Sequence, residues 1–231
     1  MSTFNQRAGL IRPTALPLIP MSSITQQGSA TALSGATITA PATIIAGDIH
    51  ILSQYSTDNA FSGNPVDVTP PGWTTVANAG ASGDEGRIML SWKIADGSEA
   101  SAIITGMNAP NANLKAIYVF RGDAPATTVQ VKDVNAQVSF SGNPAAQVKN
   151  VAAETAPLVV IGAYGTDPSA STALNPRSFT PGPKDGEVNP STFHYLAYKI
   201  FNSSPVDQTI DMDDEGFVNA LASFYFVPFH A

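Results

Sequence analysis

The chain has 231 residues, no cysteine and 43% hydrophobic side chains, enough for one large β domain and incompatible with a disulfide framework or a thiolate metal site. Its formal net charge is −7, with 11 Lys and Arg and no basic cluster beyond the pair Arg7 and Arg12, which excludes phosphate-neutralising nucleic-acid binding. Charged residues are only 13%, against about 25% in a typical soluble domain, so the surface is carried on Ser, Thr, Asn and Gln or is partly covered by partners.

Residues 1–33 come first and differ from the rest. Pro13, Pro17 and Pro20 hold the chain extended, and the polar run 22–34 has no period of 2 or 3.6. The apolar stretch Leu16-Pro17-Leu18-Ile19 is broken by proline and too short for a signal peptide, and no run reaches the ~20 residues needed to cross a bilayer. No export signal and no membrane insertion are expected. Two readings of 1–33 stand level: a loose terminus, or an arm that becomes ordered on a neighbouring subunit. In the second, Phe4, Leu10, Ile11 and Leu18 are buried on the partner and Arg7 and Arg12 pair with its acidic groups.

From residue 34 to 231 the signal is alternation. Strands are expected at 48–55, 73–78 and 87–94, where Ile88, Leu90, Trp92 and Ile94 share one face. Residues 113–120 begin the same way and become apolar on both faces, as a central strand does. A short helix is expected over 145–154. Further strands follow at 158–163, 193–201, 206–212 and 218–227, separated by Gly- and Pro-bearing turns. The expected class is all-β, an antiparallel β-sandwich or jelly roll with an extended N-terminal arm. Phe61-Ser62-Gly63-Asn64-Pro65 recurs as Phe140-Ser141-Gly142-Asn143-Pro144. Two similar turns explain it, and five residues are too few for a duplicated domain.

Catalytic patterns are missing. No Gly-x-Ser-x-Gly elbow occurs, and His50, His194 and His230 lack the i, i+4 spacing of a zinc helix. Asp211, Asp213 and Glu215 imitate the start of a calcium loop, but Ala222 stands where a bidentate Glu is required. A polar hairpin turn is the simpler reading, leaving these three as the metal candidates. Glu85, Glu99 and Glu187 fall in turn regions. Trp92 is expected in the core and Trp73 at the sandwich end, while Tyr55 and Tyr164 at strand ends are the conceivable sugar-stacking positions. No catalytic residue, no cofactor and no enzymatic activity are expected.

The ordered set Ala46-Gly47-Asp48-Ile49-His50-Ile51-Leu52, Pro70-Pro71-Gly72-Trp73-Thr74, Ser91-Trp92-Lys93-Ile94-Ala95-Asp96-Gly97-Ser98-Glu99 and Ala116-Ile117-Tyr118-Val119-Phe120-Arg121-Gly122 resembles a β-sandwich domain of tailed-bacteriophage virion proteins. The resemblance spans roughly residues 40–122. It implies a tail-fibre, spike, tail or head-decoration component, with Trp92 filling the core, Gly72 and Gly97 making turns and Glu99 satisfying a turn backbone. The expected location is the virion, assembled in the bacterial cytoplasm, with other virion proteins and copies of itself as partners. The alternatives are a module binding a host-surface glycan and, further off, a polysaccharide hydrolase.

Overall fold

The structure is a computed structural model that describes residues 17–56, 69–80, 87–107, 113–139, 145–155, 157–166, 178–191, 194–211 and 219–231. Its first half contains β1 (Ile19–Pro20), β2 (Ile24–Ala32), β3 (Ile38–Thr39), β4 (Ile49–Ser56), β5 (Thr74–Gly80), β6 (Arg87–Ile94), β7 (Ile103–Ile104) and β8 (Asn113–Gly122). The second half contains β9 (Thr128–Ser139), β10 (Ala145–Val148), β11 (Leu158–Thr166), β12 (Ser178–Thr180), β13 (Gly186–Ser191), β14 (His194–Phe201), β15 (Gln208–Asp211) and β16 (Asn219–His230). No α-helix occurs among the described residues, and all pairings are antiparallel. The all-β sandwich is as the alternation requires.

Apart from the two-residue β1, each main sheet is made by one contiguous half of the chain. The first runs β2-β8-β4-β6-β5, and the second runs β9-β16-β11-β14-β13 with β1 paired to the end of β16. Numbered within their own halves, both sets of five strands stand in the same order, 1-5-2-4-3. The small sheets repeat the correspondence. The connections between strands 1 and 2 and between 4 and 5 pair as β3–β7 in the first half and as β10–β15 in the second, where β12 adds a third strand. The strands are not interleaved between sheets as in a jelly roll; the sandwich is two equivalent halves face to face.

Side chains follow the same correspondence. Inward rows Ile94–Ile49–Phe120 and Trp92–Ile51–Tyr118 of the first sheet match Ile200–Val159–Phe226 and Tyr198–Ile161–Phe224 of the second. All join the central core, with Trp92, Ile94 and Ile200 only partly buried. Phe120 and Phe226, which hold equivalent positions, meet with ring centroids 5.7 Å apart, as on a two-fold axis. Across the sandwich β5 lies over β9 and β13 over β2, and β6 lies over β16 as β14 does over β8. Such reciprocal contacts define an isologous interface.

Both main sheets are also buried on their outer faces. Leu52, Ile117 and Val119 of the first pack beneath Ile38 and Ile104 of β3–β7. Val160, Tyr164, Leu221 and Tyr225 of the second pack with Val148, Phe179 and Ile210 of β10, β12 and β15. Four layers therefore enclose three apolar cores. This is why 113–120 and 158–163 read as apolar on both faces.

Several expectations change. The polar run 22–34 contains edge strand β2, paired with β8, so the boundary at residue 33 falls after a strand of the sandwich, which begins at β1. Met21 and Ile24 are 2% and 1% exposed, and Asn202 Nδ2 and Oδ1 clamp the Ile24 backbone at 3.1 and 2.7 Å. Thr25 and Gln27 face outward on a sheet edge, which gave the strand its linker-like composition. The helix expected over 145–154 is instead β10 followed by a 3-10 turn (Val151–Ala153), separated by Asn150 in the left-handed region at φ 61°. Trp92 is half-buried at the margin of the central core, not within it. Phe4, Arg7, Leu10, Ile11 and Arg12 lie outside the described residues.

Two outcomes follow from this packing. Fragments 1–124 and 125–231, each exposing an entire inner sheet face, are expected to be insoluble or unfolded alone and to copurify as a 1:1 complex when co-expressed; two independently folded fragments would refute the face-to-face halves. A chain starting at residue 34 is expected to lose at least about 3 kcal/mol in denaturant unfolding relative to one starting at 17, since it lacks β2 and the buried Met21 and Ile24.

Candidate functional site

Several residues of the ordered motif set meet at one end of the first sheet. Asp48 precedes β4 and Arg121 lies near the end of β8. The Arg121 Nε and Nη2 donate to Asp48 Oδ1 and Oδ2 at 2.7 and 2.8 Å, and Nη2 also donates to the Thr43 carbonyl at 2.6 Å. Asp48 is fully buried, and its Oδ2 accepts the Ile45 amide at 2.9 Å. The bidentate pair raises the Arg121 pKa further above its usual range, the Asp48 hydrogen bond being the main cause.

Neighbouring strands close the same network. The Gly47 amide donates to Ala95 O at 2.9 Å, the Ala95 amide to Asp48 O at 2.8 Å, and the Ala126 amide to Gly47 O at 3.1 Å. Gly47 has φ +87° and lies against Pro125, so no side chain fits there. Lys93 Nζ pairs with Glu99 Oε1 at 2.6 Å. The Asp96 and Gly97 amides donate to the same carboxylate at 3.2 and 3.0 Å, which is the turn-satisfying role expected of Glu99. Burial pushes the Glu99 carboxyl up, but Lys93 and the Asp96 and Glu99 amides together hold it below its ordinary value. Gly72 and Gly97 take positive φ, +80° and +96°, in their turns.

Two histidines are enclosed. His50 faces the outer core with its ring 5.8 Å from that of Trp73, and neither ring nitrogen has a hydrogen-bond partner among the described residues. Burial lowers its pKa to about 4. His194 sits between the main sheets, where its Nε2 lies 2.8 Å from Ser53 Oγ; burial, aided by the Lys115 charge, lowers its pKa to about 3. A serine within hydrogen-bond reach of a histidine is the first element of a nucleophilic site. Here both residues are fully buried, and no carboxylate acts on the ring among the described residues. In this arrangement the pair links the two sheets across the central core.

Other sequence candidates separate. Tyr55 and Tyr164 are completely buried, so they offer no surface to a sugar, and that expectation is corrected. Strand-end position suggested exposure, but the covering layers enclose both rings. Asp211 ends β15 opposite Ala145 and Ser178; Asp213 and Glu215 lie outside the described residues, as does Glu85. No metal-holding cluster occurs among the described residues. Glu187 pairs with Lys184 at 2.6 Å. His230 pairs with Ile19 at the end of β16. No helix is long and apolar enough to cross a membrane among the described residues. No family model, no curated protein and no solved structure matches the chain.

The enclosed histidines make stability depend on acid. Unfolded histidine titrates near 6.5, so between that pH and the depressed folded values of about 4 and 3 the unfolded chain binds more protons. Stability is therefore complete above pH 6.5 and falls as pH drops toward 3, by roughly 3–5 kcal/mol per histidine at the limit. Urea midpoints are expected to fall from pH 7.5 to pH 4.5, less steeply in His50→Leu, which also removes a buried group without a partner. Equal slopes for variant and wild type would contradict the burial of a neutral His50.

Proposed function

We propose that the chain is a structural component of a tailed-bacteriophage virion, a tail, fibre, spike or head-decoration protein, held in the particle through its N-terminal segment. The observation that carries this reading is the convergence of the motif set. Gly47-Asp48 and Arg121-Gly122 end in one bidentate pair, and the Lys93-to-Glu99 segment closes beside them. Residues far apart in the sequence thus have one physical reason to occur together and in order. They define an architecture rather than a reaction.

The N-terminal anchor is supported by where the chain joins the sandwich. Leu18 and Ile19 are 45% and 46% exposed, beside β16 and directly after the apolar residues Leu10, Ile11 and Leu16. An apolar stretch continuing from an exposed apolar junction gains by covering itself on another subunit. The partners are other virion proteins and copies of this chain, assembled in the bacterial cytoplasm.

The test is made on particles. Purified virions are expected to contain the chain in a fixed copy number by quantitative mass spectrometry. A chain lacking residues 1–16 is expected to keep the thermal midpoint of the full chain and to be lost from particles. Normal incorporation of that chain would move the anchor onto the sandwich, and absence of the full chain from virions would overturn the reading.

A further inference from the structure

The two inner faces match in topology but differ in size at one level. There the first sheet presents Ile88, Tyr55 and Leu114 side by side on β6, β4 and β8. At the equivalent register the second presents His194, Gly165 and Ala220 on β14, β11 and β16. Tyr55 and Gly165 hold equivalent positions and, like Phe120 and Phe226, meet across the sandwich. The Tyr55 ring fills the space that a Cβ on Gly165 would need, and its centroid lies 5.7 Å from that of His194. All six residues are buried. We propose that this level is a lock: the inner face of each half accepts the other half and rejects a copy of itself.

Elsewhere the faces are close to interchangeable. Leu90 and Ala116 correspond to Leu196 and Ala222, and Phe120 to Phe226. Without the large and small rows, a sandwich of two first halves or of two second halves would fill almost as well. With them, neither does. In two first halves, Tyr55 and its copy claim one space, and the Ser53 hydroxyl faces Ile88 where it now faces His194. In two second halves, glycine meets glycine over a void, and His194 faces Ala163 where it now has Ser53 Oγ at 2.8 Å. One like pairing is overfilled and the other underfilled, and each leaves a buried polar group without its partner.

The order of synthesis sets the need for such selection. The first half emerges with its whole inner face apolar while residues 125–231 remain to be made, which takes about 5–20 s. Neighbouring chains on one messenger expose that same face together, and two identical faces can pair about a two-fold axis. Good fit to the right partner does not exclude this mistake; a misfit against the wrong one does. A second copy of the chain can then engage an inner face only through its complementary half. The selection holds whatever the assembled protein does.

Two variants of the full chain reproduce the two like pairings. Tyr55→Gly with Leu114→Ala places the small row on both faces, and Gly165→Tyr with Ala220→Leu places the large row on both. Each pair is expected to lower the thermal midpoint by about 10 °C or more. All four substitutions together exchange the rows between the halves, and are expected to recover at least half of the loss shown by the first pair. A fourfold variant no more stable than the better of the two pairs overturns the proposal, as does a wild-type midpoint in either pair. A milder cycle tests the lock in chains that remain folded. Gly165→Ala is expected to lower the midpoint by about 5 °C in the wild-type chain and to cost nothing in a Tyr55→Ala chain. Equal losses in both backgrounds would show that Tyr55 and Gly165 do not oppose each other, and would also overturn it.

Discussion

Two-sided burial of both main sheets governs the rest of the structure. A sheet apolar on one face needs one cover; β8 and β11, apolar on both, need two. The inner faces cover each other through Phe120 and Phe226. The outer faces are covered by small sheets that each half folds back from its own connections. This also bears on the sparse charge. A fold with three apolar cores spends many residues on burial, so low charge content follows from the layering and does not by itself require a partner over the surface.

Layering leaves the sheet edges to be managed, and they are managed alike. Among the described residues, β2, β5, β9 and β13 are the edges of the two main sheets, and each carries a register irregularity against its inner neighbour. The central pairings β4–β6, β4–β8, β11–β14 and β11–β16 have none. At β9 the irregularity includes Asp133 at φ 50°. Bulges twist an edge away from flat pairing with another chain. Assembly through open sheet edges is thereby discouraged.

Much of this was legible in sequence because its signal is local. Alternation in 87–94 located β6, and the two-sided apolar runs located β8 and β11. Glu99 was readable because its amide partners lie two and three residues away. What was missed depends on distance or on position in the sheet. β2 and β9 are edge strands with polar outer residues, so their alternation was diluted. The pairing of Asp48 with Arg121 spans 73 positions. The pairing of β10 with β15 joins segments that likewise meet only in the fold. The halves share no readable repeat: the Phe-Ser-Gly-Asn-Pro segments fall in different connections, after β4 in one half and after β9 in the other, and both lie outside the described residues. Topology outlasts sequence because a 1-5-2-4-3 sheet asks only for apolar residues of suitable size at each register position.

The correspondence between halves also shows what the Asp48–Arg121 pair does. Asp48 precedes Ile49 and Arg121 follows Phe120; the equivalent places, before Val159 and after Phe226, hold Leu158 and Val227. Both are buried in the outer core of the second half. One sheet therefore closes this corner with an ion pair, the other with two aliphatic side chains. Exchanges of this kind are often neutral or favourable for stability, because desolvating two charges offsets most of their attraction. The ion pair is thus not needed to hold the sheet together. Its distinctive effect is directional: Arg121 also binds Thr43 O, and Asp48 the Ile45 amide, so the pair fixes the segment between β3 and β4 against the end of β8. Aliphatic contact cannot specify that geometry. The two halves share a means of burying area, and the first adds a means of orienting one end of the sandwich.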